Sequence, residues 1–172
     1  MAKYFNITGP ITTELLAPGD NIIVRSIHLT NSDHRNTHTA IVDLYIEKET
    51  SGKFYLMRNV NIPPGVSLSH DFSINNSSGE YGLYLKLTPT TTVTLTGSID
   101  VTGTNVNVPG SGTAFNSELS IGDEIVVSGE TRIINAITSD TAATVSVSWG
   151  SDLANDTSPD INPVATVDVI LN

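Results

Sequence analysis

Short segments of alternating apolar and polar residues, divided by turn signals, run along almost the whole of this 172-residue chain. A period of two predicts β-strands with one buried face, because successive side chains of a strand point to opposite sides. In the segment Ile22–Thr30 the alternation places Ile27 and Leu29 on the core face. About seven such segments precede Gly97, with a turn roughly every ten residues, and no window shows a helical period. We therefore predict an all-β protein built on an antiparallel β-sandwich, either Ig-like or jelly-roll-like.

The densest pattern of this kind lies at residues 112–147. Gly122-Asp123 and Ser128-Gly129-Glu130 are turn signals, and β-branched alternation flanks each of them. Roughly four or five strands within about forty residues indicate a small β-barrel. Such a barrel needs no cofactor, so this segment favours assembly or surface contact over chemistry.

The two halves of the chain differ in charge. Residues 1–97 hold eight acidic and seven basic residues, whereas residues 98–172 hold ten acidic residues and only Arg132 as a base. The balances of −1 and −9 add up to the formal charge of −10. Such an asymmetry indicates a domain boundary. It also argues against nucleic-acid binding, because phosphate contacts need clustered Lys and Arg. The simpler interpretation of the acidity is solubility alone.

The ends of the acidic half point to an insertion. Ser98–Val101 precede it and Thr166–Leu171 follow it, and deleting what lies between would leave one continuous strand. A small domain grafted into an exposed strand or loop produces this pattern. We expect a sandwich of residues 1–99 plus 164–172 that carries an inserted acidic β-barrel at residues 100–163. The alternative is two domains in tandem, with Val164–Leu171 in the second.

Cellular location is constrained by what the chain lacks. It contains no cysteine, which excludes disulfides and thiolate chemistry and favours synthesis in the cytosol. Residues Met1–Asn6 lack the apolar core of a signal peptide, and no apolar run approaches the length of a membrane span. We expect a soluble protein without a membrane partner.

Two groups of residues could hold a metal ion. His34 and His38 have a spacing suited to zinc on a helix, but their surroundings predict a loop, and zinc needs further ligands. Asp152, Asp156 and Asp160 lie in an oxygen-rich segment that could hold calcium, although it lacks the spacing of an EF-hand. We favour surface and loop roles for both groups and predict no metal and no cofactor.

Asp123, Glu124 and Glu130 could supply the paired carboxylates of a glycosidase. They stand at predicted turn positions, where solvated acids are common, and no other motif of a hydrolase or phosphate-binding protein is present. We therefore predict no catalytic residues and a protein that is not an enzyme.

The N-terminal segment carries several apolar side chains with few partners nearby in sequence. It is either an arm that adds to the sheet of a neighbouring subunit or the ordinary first strand of its own sandwich. The candidate assembly contacts are Tyr4, Phe5, Ile7, Ile11, Leu15 and Leu16.

Aromatic residues raise a second possibility, because aromatic platforms bind sugars. Trp149 is the candidate sugar contact, with Tyr45, Tyr55, Tyr81 and Tyr84 as the other aromatic residues of interest. We favour the interpretation that Trp149 packs in the barrel core or at its seam with the sandwich. An exposed Trp149 would favour sugar binding, and a buried one would favour a structural role.

Several segments resemble small β-sandwich virion proteins of tailed bacteriophages, of the marine and cyanobacterial phage type. They are Pro18–Asn31, Thr39–Ile46, Phe54–Val60 and Ile62–Leu68. Gly112–Val147 is similar to modules that recur in phage tail, fibre and neck proteins. These patterns of turn residues and alternation together cover about four-fifths of the chain. The resemblance carries no catalytic residues and implies a structural component of a phage particle.

We therefore expect a non-enzymatic protein that assembles in symmetric copies on the capsid or at the head–tail junction, as a decoration, cement, neck or tail accessory protein. Its partners would be further copies of itself and other virion proteins, namely the major capsid, portal or neck, or tail protein. It would be made in the cytoplasm of the host bacterium and reside in the virion. The alternative function is a carbohydrate-binding tail or fibre module that contacts the host surface.

Overall fold

The computed structural model describes residues 2–48, 51–76 and 78–172. Within them, sixteen strands and one short helix follow one another along the chain. They are β1 (Lys3–Ile7), β2 (Thr13–Leu16), β3 (Ile23–Asn31), β4 (Ala40–Lys48), β5 (Gly52–Ile62), β6 (Ser67–Asn75), β7 (Gly82–Thr88), β8 (Val93–Thr94), β9 (Ser98–Val101), β10 (Asn107–Ser111), α1 (Phe115–Glu118), β11 (Glu124–Val127), β12 (Glu130–Ser139), β13 (Ala142–Val145), β14 (Leu153–Asp156), β15 (Asp160–Asn162) and β16 (Val167–Leu171). The prediction of an all-β protein is confirmed.

The described residues divide into two compact units. The first contains the residues up to Thr88 together with Ala165–Asn172, and the second contains Pro89–Val164. In this part of the chain no helix is long and apolar enough to cross a membrane.

Two four-stranded antiparallel sheets form the first unit, in the orders β1-β16-β3-β6 and β2-β7-β4-β5. The pairings are nested, because β1 pairs with β16, β2 with β7, β3 with β6, and β4 with β5. Alternate pairs of this nested ladder lie in opposite sheets, which is the topology of a jelly roll. The predicted β-sandwich is confirmed, and the strand order distinguishes the jelly roll from the Ig-like alternative.

Alternation along β3 places its core residues as predicted, with one irregularity. Ile27 and Leu29 are fully buried. A shift in register between Val24 and Ser26 reverses the alternation at the start of the strand. As a result Val24 is buried, while Ile23 is half exposed. The reversal depends on the pairing with β6, which the sequence of β3 does not contain.

The second unit has one antiparallel sheet of eight strands, in the order β14-β9-β10-β13-β12-β11-β15-β8. Its core is formed by Leu95, Ile99, Val101, Val108, Phe115, Leu119, Ile125, Val127, Ile134, Ala143, Val145, Trp149 and Ile161. Because β14 and β8 are the two ends of this sheet, closure into a barrel stays a prediction.

The limits of the second unit differ from the residues 100–163 that were expected for an inserted barrel. β9 pairs with β10 and β14, and β8 pairs with β15, so the unit begins at Pro89. Both the N–H and the hydroxyl of Thr90 donate to the carbonyl of Pro163, at 2.8 and 3.2 Å, which holds the two ends of the unit side by side. After it the chain returns to the first unit as β16, between β1 and β3. The sequence placed the boundary later because β8 carries no charge.

Candidate functional site

Asp123, one of the three candidate catalytic acids, is a buried structural group. It lies just before β11 with none of its surface exposed. Its carboxylate accepts hydrogen bonds of 2.8 Å from the N–H of Ser120 and of 2.8 Å from the N–H of Val164. A buried carboxylate held by backbone donors stabilises the loops that supply them. The position therefore organises the end of the second unit.

The other two acids of that group have separate partners. Glu124 accepts a 3.2 Å hydrogen bond from the side-chain amide of Asn162. Glu130 pairs with the guanidinium of Arg132 and also accepts a 2.7 Å hydrogen bond from the N–H of Gly150. Each carboxylate thus connects two parts of the chain and stabilises the fold of the second unit.

The aspartates of the predicted calcium segment likewise bind different parts of the second unit. Asp152 accepts a 2.7 Å hydrogen bond from the N–H of Gly103, and Asp160 accepts one of 2.7 Å from the hydroxyl of Thr94. Asp156 accepts from the N–H groups of Ser128 and Ser158. Among the described residues no group of three or more His, Asp or Glu is arranged to hold a metal ion.

The segment between His34 and His38 is organised by an ion pair that the sequence did not single out. The guanidinium of Arg35 lies 2.7 Å from the carboxylate of Asp33, and both side chains are almost completely buried. Burial alone would raise the pKa of Asp33, but the hydrogen bonds and positive charge of Arg35 outweigh it and hold that pKa below its ordinary value of 3.8. A carboxylate two residues before an arginine was the signal available in the sequence.

Asn31 anchors the same loop to the sandwich. Its buried side-chain amide donates to the carbonyls of His38 and Ile62, at 2.8 and 2.9 Å, and its oxygen accepts from the N–H of Asp33 at 3.2 Å. The loop that holds the two histidines is therefore held in place by its first residue.

Trp149, the candidate sugar contact, is buried in the core of the second unit and 1% exposed. Its indole N–H donates to the carbonyl of Asn107 at 3.2 Å, and the guanidinium of Arg132 lies over its ring at 5.6 Å. The ring offers no face to a sugar, so the structure supports core packing and not the predicted contact.

Three of the four tyrosines of interest form a row across the second sheet of the sandwich. Tyr45 in β4 lies directly opposite Tyr55 in β5 and Tyr84 in β7, with ring centroids 5.5 and 5.6 Å away. The amine of Lys53 lies 4.5 Å from the centroid of Tyr45, and the guanidinium of Arg58 lies 5.1 Å from that of Tyr55. Tyr45, in the middle of the row, is buried among these groups, whereas Tyr55 stays 44% exposed beside the guanidinium of Arg58.

Electrostatic contacts hold this row at Tyr84, one of its ends, and at Tyr45, its middle residue. Burial and the nearby charge of Glu14 raise the pKa of Tyr84, whose hydroxyl donates to that carboxylate at 3.3 Å. The hydrogen bond to the hydroxyl of Tyr45 raises the pKa of Lys53. Both groups keep their ordinary charge at neutral pH.

The N-terminal candidate contacts separate into buried and exposed residues. Ile7, Leu15 and Leu16 are buried in the sandwich of their own chain. Phe5 is half buried, while Tyr4 and Ile11 are 71% and 67% exposed. Because β1 pairs with β16 and β2 pairs with β7, this segment forms strands of its own sandwich and not a separate arm. Of the six candidate residues, Tyr4 and Ile11 are therefore the two whose side chains are available for contact with another molecule.

The most prominent apolar surface lies on β5, which the sequence analysis did not assign to contact. Its consecutive residues Phe54, Tyr55 and Leu56 are 51%, 44% and 39% exposed. Exposed Lys53 and Arg58 flank this group, and we call residues Lys53–Arg58 the β5 edge. The signal in the sequence was an apolar run without alternation at Phe54–Met57. This edge is the candidate functional site.

Comparison with known proteins adds no relative. No protein-family model matches the chain, and neither the curated proteins nor the solved structures include a significant match to it.

Proposed function

We propose that this protein is a non-enzymatic structural component of a tailed-phage particle, assembling in symmetric copies on the capsid or at the head–tail junction. The observation that carries the proposal is the β5 edge, where three consecutive large apolar side chains are exposed on a strand at the end of a sheet. Phe54 and Tyr55 occupy successive paired positions and point to opposite faces, so exposed apolar side chains line both sides of this sheet edge. An open edge of this kind is a surface on which another chain can pair. The resemblance to phage β-sandwich proteins indicates the kind of assembly.

The jelly roll supports this role, since it holds the contact strand on a rigid framework. In β5 the residues toward Ile62 pair with β4 over the sandwich core, and Ile62 itself is buried. The exposed end of the strand is therefore positioned by a well-packed sheet. Modest contacts of this kind become strong when many copies bind together.

The acidic second unit suits the surface of a crowded assembly. It holds nine acidic residues and one basic residue between Pro89 and Val164. Net negative charge keeps closely packed particles apart in solution. The partners in this proposal are the major capsid, portal or neck, or tail protein, and the location is the virion after synthesis in the host cytoplasm.

The carbohydrate-binding alternative depended on Trp149, and its burial removes that support. The tyrosine row does not replace it, because Tyr45 is buried and Tyr84 is half buried, which leaves Tyr55 as the one ring of the row with a large exposed fraction.

Quantitative mass spectrometry of purified phage particles tests the proposal. The protein is counted against the major capsid protein of the same particle. We expect either hundreds of copies, as on a shell, or about a dozen, as at a neck or tail. Absence from particles of a phage that expresses the protein would overturn the proposal.

A further inference from the structure

Of the four end strands in the two described sheets of the sandwich, β5 alone is both long and apolar. β1 and β2 have five and four residues, and β6 has nine. β6 exposes Ser67, Ser69, Asp71 and Ser73. Short length and polar side chains are the devices by which proteins prevent sheet edges from pairing with other chains. β5 has eleven residues and lacks both devices along Phe54–Leu56.

The charges on β5 restrict what can pair with it. Lys53 and Arg58 flank the apolar residues, and the strand contains no acidic residue. Pairing of two β5 strands about a two-fold axis would bring these cations of one copy beside those of the other. Like charges in neighbouring strands destabilise a sheet. The charge pattern therefore favours an acidic partner strand.

We infer that the β5 edge of one copy docks on the acidic second unit of another copy, along β14. This strand is an end of its sheet, and Asp152 and Asp156 bracket its half-buried Leu153. An antiparallel alignment that sets Leu153 opposite Leu56 brings Asp156 to the level of Lys53 and Phe54. It brings Asp152 to the level of Met57 and Arg58. The alignment holds to within one residue, because β5 is irregular on either side of Met57 and β14 is irregular between Leu153 and Asp156. Apolar contact and opposite charges then coincide, which is the complementarity that specific interfaces use.

Such a contact uses different surfaces on the two copies. Contacts of this heterologous type repeat head to tail and form a ring when the rotation closes. The inference deepens the proposed structural role by naming the partner of the β5 edge, and it rests on that role. Presence in particles and association in solution are separate measurements, so one can fail while the other succeeds.

Sedimentation equilibrium of the full chain tests the inference. We expect association that rises with concentration and weakens about tenfold between about 0.1 M and about 1 M NaCl, as the Debye length falls from ~10 to ~3 Å. The variant Asp152→Asn with Asp156→Asn should weaken association about tenfold, because it removes two ion pairs. Asparagine keeps one acceptor oxygen, which retains the hydrogen bond from Gly103 at position 152 and one of the two backbone hydrogen bonds, from Ser128 and Ser158, that Asp156 accepts.

The matched control is Asp100→Asn with Asp140→Asn, which removes the same charge at two other exposed positions of the second unit and should leave association unchanged. On the β5 side of the proposed contact, the variant Phe54→Thr with Leu56→Thr should reduce association. Its control, Ile11→Thr at a 67% exposed position, should leave association unchanged. Circular dichroism verifies the fold of each variant.

Two results would overturn the inference. The first is a monomer at every concentration and salt level. The second is association that the β5 variant abolishes while the Asp152 and Asp156 variant leaves it intact, which would assign a different partner surface to β5.

Discussion

The carboxylate of Asp123 accepts a hydrogen bond from the N–H of Val164, a residue 41 positions later in the chain. Val164 is the last residue of the second unit and has no exposed surface. The bond therefore joins the loop before β11 to the point at which the chain leaves the unit. Asp123 is therefore a buried structural residue, although composition alone would place a carboxylate at the surface.

Replacing Asp123 should be costly for this reason. Asp123→Ala leaves the N–H groups of Ser120 and Val164 buried without their acceptor, and we expect a loss of about 3 kcal/mol in the free energy of unfolding. Asp100→Ala, at an exposed position, should change it by less than about 0.5 kcal/mol. Urea denaturation measures both. Equal losses in the free energy of unfolding for the two variants would contradict a structural role for the hydrogen bonds of Asp123.

The Asp33–Arg35 pair should make stability depend on pH. Arg35→Met leaves a buried carboxylate without its cation, and we expect a loss of about 3–5 kcal/mol at neutral pH. Because the pKa of Asp33 is lower in the folded protein than its ordinary 3.8, the stability from this pair is complete above about pH 4. It disappears as the pH falls through the lower folded value.

The penalty of Arg35→Met should therefore shrink as the pH falls below about 4, as measured by denaturation at each pH. Lys3→Met, which breaks the exposed 3.0 Å pair with Asp20, should cost less than about 1 kcal/mol. A penalty for Arg35→Met that stays constant with pH would show that the charge of Asp33 is not what the arginine stabilises.

Gly97 and Gly112 provide a matched pair of backbone tests. Both have positive φ values, +83° and +65°. A Cβ at Gly97 would lie 2.5 Å from the carbonyl oxygen of Ser111, whereas one at Gly112 would meet open space. Gly112→Ala should cost about 1 kcal/mol from the backbone conformation alone. Gly97→Ala should cost at least about 3 kcal/mol because it adds a clash. Similar costs in thermal or urea unfolding would disprove the close approach.

Trp149 is the only tryptophan in the sequence and reports on the second unit. We expect blue-shifted fluorescence emission and weak quenching by acrylamide in the native protein, since the ring is buried. Trp149→Ala should lower the free energy of unfolding by about 3–5 kcal/mol, and Val147→Ala, at a position 60% exposed, by less than about 0.5 kcal/mol. Strong quenching in the native protein would restore the sugar-contact interpretation.

β16 should exchange its amide hydrogens slowly although it lies at the end of the chain. Terminal residues commonly fray, but β16 is flanked by β1 and β3. We expect the amides of Val167–Leu171 to be as protected as those of Ile27–Leu29 in hydrogen–deuterium exchange. The two-residue strand β8, with both side chains exposed, should exchange much faster. Rapid exchange throughout β16 would contradict its central position.

The alternation of apolar and polar residues predicted where the strands lie but not which strands pair with each other. Alternation identified Ile27 and Leu29 as core residues because the side chains of a strand alternate whatever lies beside it. The bulge at Val24 depends on how β3 meets β6, which is 36 or more residues later in the chain. The charge shift located an acidic segment, but the pairing of β8 with β15 extends the unit back to Pro89, through residues that carry no charge.

The candidate chemical residues show the same division. Residue type and spacing selected Asp123, Asp156 and Trp149, and those features are all that a sequence displays. Which backbone N–H faces a carboxylate, and whether an indole faces solvent, depends on chain segments that meet only after folding. For this reason the sequence could only name these residues as candidates, and the structure shows the hydrogen bonds and core packing that they make.

The sequence by itself determined that this protein is built of antiparallel strands, since the period of its apolar residues and the placing of its turns are local properties. Only the tertiary structure decided that these strands nest as a jelly roll, with the last strand returning between β1 and β3, and that β5 leaves Phe54, Tyr55 and Leu56 exposed. Burial depends on what packs over a side chain, and in a fold made of long-range pairings the residues that do so lie far away in the chain.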